Sequence, residues 1–158
     1  MQLILLTGSN MGHPAHNLQE AAQKLVLHLG QVTLCSSVFR TAPWGNTQQQ
    51  VFLNQVLVFD TALTAEEILR LILATEKAMG RIRQKRWEPR IIDIDILFYD
   101  DKILHTPELQ IPHPLIQERR FVLVPLNQIL PNFVHPIHNK TITTLLAQCP
   151  DQSTVEKM

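Results

Sequence analysis

The chain has 158 residues, 45% of them hydrophobic, with fourteen Lys and Arg balanced by fourteen Asp and Glu. That size and balance suit one domain with one core, and they exclude a disordered chain and a globally basic nucleic-acid binder. No apolar run reaches membrane-spanning length, Met1 to Leu6 is too short and uncharged for a signal peptide, and Cys35 and Cys149 form neither a disulfide framework nor a metal-ligand spacing, so a cytoplasmic protein is expected.

Leu3 to Thr7 reads as a buried first strand, broken by Gly8-Ser9-Asn10 and then by Gly12 and Pro14. Leu18, Ala22, Leu25 and Leu29 recur at helical spacing, with Gly30 as a stop. Val32 to Phe39 reads as a strand, 41–50 as a loop, and Phe52 to Phe59 as a strand in which Leu53, Gln55, Leu57 and Phe59 alternate against Phe52, Asn54, Val56 and Val58. Thr64 as N-cap and Glu67 as its capping-box partner open a second helix, whose stripe is Ile68, Ile72, Thr75 and Met79 before Gly80 ends it. A basic loop and an apolar strand carrying Asp93 and Asp95 follow, and Asp100-Asp101 reads as a hairpin turn into Lys102 to Leu104. The last third is rich in proline, with short helices expected near 121–130 and 142–148 and a frayed tail over 150–158. Strand, helix, strand, strand, helix, strand is the order of an α+β, ferredoxin-like split βαβ core: one antiparallel-rich sheet, helices on one face, the other face free for a site, and long substrate loops.

The chemistry concentrates at one point. Five of the fourteen cationic residues, Arg81, Arg83, Lys85, Arg86 and Arg90, fall within ten positions, just before Ile91-Ile92-Asp93-Ile94-Asp95-Ile96-Leu97. Alternation puts Asp93 and Asp95 on one face of a strand, Cα atoms roughly 6.5 Å apart, with Ile92, Ile94, Ile96 and Phe98 on the other. Two unpaired carboxylates are costly to bury, and cations remove most of that cost. Two aspartates are few for a metal cage but suit Mg²⁺ that arrives on a nucleotide and keeps water and phosphate oxygens in its shell. Taken alone, an Asp-x-Asp beside arginines is also consistent with plain salt bridges, and a basic run with a solvated face.

The stretch Gly80-Arg81-Ile82-Arg83 with Arg86-Trp87-Glu88-Pro89-Arg90-Ile91-Ile92-Asp93-Ile94-Asp95-Ile96-Leu97 closely resembles the signature of the 6-hydroxymethyl-7,8-dihydropterin pyrophosphokinases of the folate pathway. Gly8-Ser9-Asn10, Phe39-Arg40-Thr41-Ala42-Pro43-Trp44 with Phe52-Leu53-Asn54, and Ile111-Pro112-His113-Pro114 with Arg119 and Phe121 agree in order and spacing. The resemblance implies transfer of pyrophosphate from ATP to the pterin hydroxymethyl oxygen, with AMP released, by a monomer. It implies Asp93 and Asp95 as ligands of two Mg²⁺ ions, and Arg81 and Arg90 as catalytic cations. Glu76, Arg83, Arg86, Trp87, Arg90, Ile96, His113 and Arg119 are implied around ATP. Thr41, Ala42, Pro43, Trp44, Phe52, Asn54, Asp93 and Phe121 are implied around the pterin, with Phe52 and Phe121 stacking on it and Asn54 reading its edge. Glu88 departs from the small residue usual beside the phosphate-binding arginines. Two other readings stay open: a two-metal phosphohydrolase, and a homologue that binds pterin or nucleotide without turnover. A ferredoxin-like RNA-binding module is disfavoured by neutral charge and by strands lacking aromatic and basic recognition residues.

Overall fold

The computed structural model describes residues 1–41, 50–82 and 89–158. Eight strands and four helices lie within them: β1 Gln2–Ser9, α1 Pro14–Leu29, β2 Val32–Cys35, β3 Phe39–Thr41, β4 Phe52–Asp60, α2 Ala65–Ala78, β5 Asp93–Tyr99, β6 Leu104–His105, β7 Gln110–Ile111, α3 Arg120–Ile129, α4 Ile142–Ala147 and β8 Val155–Lys157. The main sheet runs β5-β1-β4-β3-β8, with β2 also on β4, and every pairing in it is antiparallel. The result is a mixed α/β fold on a mainly antiparallel sheet.

Local chemistry accounts for the elements. Pro14 opens α1, where its missing N–H costs nothing, and Leu18, Leu25 and Leu29 bury one stripe together with Ala21 rather than Ala22. In α2 the Thr64 hydroxyl accepts from Glu67 N while the Glu67 carboxylate accepts from Thr64 N, so two otherwise orphaned donors are satisfied reciprocally. The stripe beneath holds Ile68, Ile72 and Thr75, and it ends on Glu76, a charged residue only 2% exposed.

Four expectations need correction. The sheet is covered on both faces. Helices α1 and α2 pack on Leu3, Leu5, Leu57 and Phe59, while α3 and α4 pack on Ile4, Leu6, Val56, Val58, Leu97 and Phe98, an apolar half-face that water could not be left to cover. The strand expected over 32–39 is two strands, because the Ser36 hydroxyl takes the Val56 N–H and breaks the ladder with β4. Asp100 does turn the chain, at φ 49°, but no hairpin returns along β5. The open edge of that strand is met by the chain after β7, with His113 N–H on Leu97 O, and Leu104–His105 pairs with Gln110–Ile111 instead. The tail is not frayed. Val155–Lys157 adds β8 to the edge of β3, and the Asp151 carboxylate accepts from the first N–H of α3, at Arg120.

A bulge in β5 redistributes its side chains. Leu5 pairs with Ile96 and Ile4 with Phe98, so Leu97 is an extra residue and alternation slips by one. Ile92, Ile94 and Ile96 lie in the α1/α2 core as alternation requires, but Phe98 crosses to the α3/α4 side and joins Leu97 there.

Candidate active site

The site sits at the end of the sheet where α3 begins. Across the strands, Asn54 pairs with Gly8 and Gly8 with Asp93, so these three share a face; one step along, Val56, Leu6 and Asp95 share it too. Asp93 and Asp95 therefore do face one volume. Asn54 stands two strand spacings from Asp93, roughly 10 Å away. Between them Gly8 leaves a floor without a side chain, and a Cβ placed there would come within 2.7 Å of Asn54 Oδ1. The Asn54 amide donates from Nδ2 to the Thr41 hydroxyl at 2.8 Å, which fixes its plane in a buried setting.

Asp93 is strongly paired. Arg81 Nη1 donates to its Oδ1 and Arg90 Nη1 to its Oδ2, both at 2.6 Å, and Arg81 also bonds Glu76. Glu76 in turn accepts from the Ile94 N–H at 2.9 Å, so the end of α2 is pinned to β5. Burial opposes ionisation of Asp93, but the two arginines outweigh it and hold the carboxyl below its usual range. Burial likewise works against the Arg81 charge, and Asp93 and Glu76 more than restore it. Asp95 has the opposite fate. Burial first, and then the neighbouring Asp93 charge, push it up to about 7, with Arg119 pulling it back. One carboxylate is thus neutralised by guanidinium groups, and its neighbour holds negative charge poorly until another cation arrives.

Those two carboxylates fit Mg²⁺, because they are hard oxygen donors on one face and Asp95 lacks a direct ion pair among the described residues. Among the described residues no group of three or more His, Cys, Asp or Glu could hold a metal ion.

The other expected residues fall around this core. Phe52 and Phe121 are half-buried, and the Arg119 guanidinium lies 5.6 Å from the Phe121 ring centroid at the start of α3. Burial first, and then the Arg119 charge, lower His113 to about 4; its Nδ1 accepts from Leu115 N–H, so the ring is neutral at pH 7. Ile96 is 6% exposed in the α1/α2 core, which leaves only its backbone for a ligand. Ala42, Pro43, Trp44, Arg83, Arg86, Trp87 and the departing Glu88 lie outside the described residues. Two residues given no role from sequence emerge here: Gly8, the floor, and Asn10, which bonds both Arg90 and Gln50. Their signal was Gly8-Ser9-Asn10, expected to break the first strand; instead Gly8 and Ser9 continue β1 to its end, because β4 and β5 pair with it there, and only Asn10 lies beyond.

The site thus sets two arginines on an Asp-x-Asp and faces them across a bare glycine with a fixed amide. Residues 4–131 match the family described as 7,8-dihydro-6-hydroxymethylpterin-pyrophosphokinase (HPPK). A 2-amino-4-hydroxy-6-hydroxymethyldihydropteridine pyrophosphokinase of Methylorubrum extorquens is 41% identical over 96% of this chain and 94% of its own length. The folic acid synthesis protein FOL1 of Dictyostelium discoideum is 34% identical over 98% of this chain, which spans 23% of that longer protein. In three dimensions, the Plasmodium falciparum HPPK-DHPS crystallised with pteroate has the same fold, at a TM-score of 0.76 and 19% identity over 93% of this chain and 42% of that one. The chain belongs to the HPPK family.

Proposed function

We infer that this chain carries its family's reaction: it is an ATP-dependent pyrophosphokinase that transfers the pyrophosphoryl group of ATP to 6-hydroxymethyl-7,8-dihydropterin in folate biosynthesis. The hydroxymethyl oxygen bonds to the β-phosphorus, the link between the α- and β-phosphates breaks, AMP leaves, and the hydroxyl proton is lost. Family membership disfavours the phosphohydrolase alternative. The observation that carries the assignment of sides is the row Asn54, Gly8, Asp93, which separates an acceptor-reading amide from a cation-binding carboxylate by two strand spacings.

Asn54, held by Thr41, reads the pterin edge, and Phe52 and Phe121 stack on its faces. Asp93 and Asp95 hold two Mg²⁺ ions, which supply Lewis acidity and charge neutralisation when bound with ATP. Arg81 and Arg90 exchange part of their contact with Asp93 for the phosphates, where planar guanidinium groups pair bidentately. Arg119 and His113 close the nucleotide side, and by their place in the motif Arg83, Arg86 and Trp87 join it. Catalysis is chiefly positioning and charge stabilisation. The ferredoxin-like reading of the core is supported by the strand order β5-β1-β4-β3 with helices between β1 and β2 and between β4 and β5. A monomer is what the resemblance to the family implies, and a cytoplasmic location is supported by the free thiols of Cys35 and Cys149. No helix among the described residues is long and apolar enough to cross a membrane.

The test is the purified chain with ATP, Mg²⁺ and 6-hydroxymethyl-7,8-dihydropterin. AMP formed in step with pterin diphosphate is expected; ADP would indicate a simple kinase, and no turnover a homologue that only binds.

A further inference from the structure

We propose that Asn10 is a positioning residue that ties the nucleotide side of the site to the acceptor side, so that filling one strengthens binding at the other. The inference rests on the pyrophosphokinase reading and adds to it. Asn10 follows β1 and is 1% exposed. Its backbone N–H donates to the Arg90 carbonyl at 3.1 Å, and its Oδ1 accepts from the Arg90 N–H at 2.8 Å. These reciprocal bonds clamp the backbone of the residue whose guanidinium reaches Asp93. From the same amide, Nδ2 donates to the Gln50 carbonyl at 3.2 Å. Gln50 lies just before β4, two residues ahead of Phe52 and four ahead of Asn54, and so leads into the strand that reads the acceptor.

Arg90 and Gln50 between them constrain the residue type. Arg90 offers a donor and Gln50 an acceptor, so the side chain between them must present an acceptor and a donor at the ends of one rigid group. At this length only an amide does so, and its partners leave it one orientation. Aspartate keeps the first bond and sets an oxygen against the Gln50 carbonyl; alanine loses both. Because the amide is planar, a shift of Arg90 when phosphates bind is passed to Gln50, and a shift at the acceptor strand is passed back. Coupling of this kind is reciprocal. A buried hydrogen bond corresponds to about tenfold in an equilibrium constant.

The experiment is calorimetry on the full chain with Mg²⁺, α,β-methylene-ATP and the non-reacting 6-hydroxymethylpterin. Dissociation constants are measured for each ligand alone and for the pterin on the nucleotide complex. The unaltered chain is expected to bind pterin more tightly once nucleotide is present. Asn10→Asp should leave nucleotide affinity within about threefold but reduce that enhancement about tenfold, whereas Asn10→Ala should weaken nucleotide as well, about tenfold. A purely structural role would move all constants together with the melting temperature. Rescue of nucleotide binding alone by Asp is the signature sought. Equal enhancement in Asn10→Asp and the unaltered chain would overturn the proposal, as would no enhancement in the unaltered chain. Hydrogen exchange on the unaltered chain keeps the test independent of variant folding: the Arg90 amide must be protected, and rapid exchange there would overturn the clamp. If the unaltered chain bound neither ligand, the pyrophosphokinase reading itself would fall.

Discussion

The two faces of the sheet are filled on different terms. Under α1 and α2 the side chains are apolar from Leu3 and Leu5 through Leu57 and Phe59 to Ile94 and Ile96. Under α3 and α4 the apolar cover runs from Ile4 and Val58 to Leu6, Val56 and Leu97, and then gives way to Asn54, Asp93 and Asp95 around Gly8. Strand alternation makes this division possible, because each strand presents independent sets to the two sides. One face can hold the fold while part of the other carries charge that would destabilise a closed core. Arg81 and Glu76 link the two, since Glu76 rises from the α2 side and its partner Arg81 reaches Asp93 on the other.

Separate terms imply separable losses. Asp95→Ala should reduce AMP formation on the order of a thousandfold, the scale for removing a transition-state charge stabiliser. Its melting temperature should hardly fall, because the deleted carboxyl was disfavoured by burial and by Asp93. Retained turnover would contradict a metal-binding role. On the opposite face, Phe59→Ala empties a wholly buried position and should cost about 3–5 kcal/mol in urea unfolding, while kcat of the folded enzyme holds. If Phe59→Ala instead lowered kcat in folded protein, the faces would not be independent.

A finer cut lies on the site floor. Gly8→Ala would bring its Cβ within 2.7 Å of Asn54 Oδ1, and the Thr41 bond prevents the amide from swinging freely away. The KM for the pterin should rise about tenfold, the effect of one misplaced hydrogen bond, with the KM for ATP little changed. Equal changes in both constants would remove Asn54 from the acceptor side.

Features that follow from local rules could be read from the sequence. The capping box at Thr64 and Glu67, the stripes of α1 and α2, and the shared face of Asp93 and Asp95 each depend on residues within one turn or one strand. What escaped depends on partners far along the chain. Ser36 breaks a strand only because Val56 N–H lies opposite, and Val155–Lys157 becomes a strand only because β3 offers an open edge. The bulge at Leu97 is invisible in β5 itself, since Leu-Phe-Tyr continues the apolar run and only the register of β1 shows which residue is extra. The cluster of arginines could be read as cationic, but not that Arg81 and Arg90 would both turn to Asp93 and leave Asp95 without a direct ion pair among the described residues. That asymmetry comes from Glu76, which arrives on another element and holds Arg81 on the Asp93 side.

The smallest expected effect sharpens the contrast of faces through acid. His135 is 2% exposed and packs edge-on to Phe98 under α3 and α4, with ring centroids 5.3 Å apart. Its Nδ1 accepts from Ile137 and His138 N–H groups, at 3.1 and 3.2 Å, so this ring must be neutral. Burial first, and then the neighbouring His138, lower its pKa to about 4. An unfolded histidine takes a proton near pH 6.5, so between that pH and about 4 the unfolded chain binds more protons, and stability falls as pH falls. The contribution is complete above the unfolded value and is lost on acidification through the folded one. His113, lowered to the same value, adds a second portion, whereas His16 and His28 on α1 are exposed. His135→Asn, which keeps an acceptor oxygen near the Nδ1 position, should therefore show a shallower drop in melting temperature from pH 7 to pH 4.5 than the unaltered chain, with the His113 share remaining. Identical slopes would mean that His135 is not held neutral.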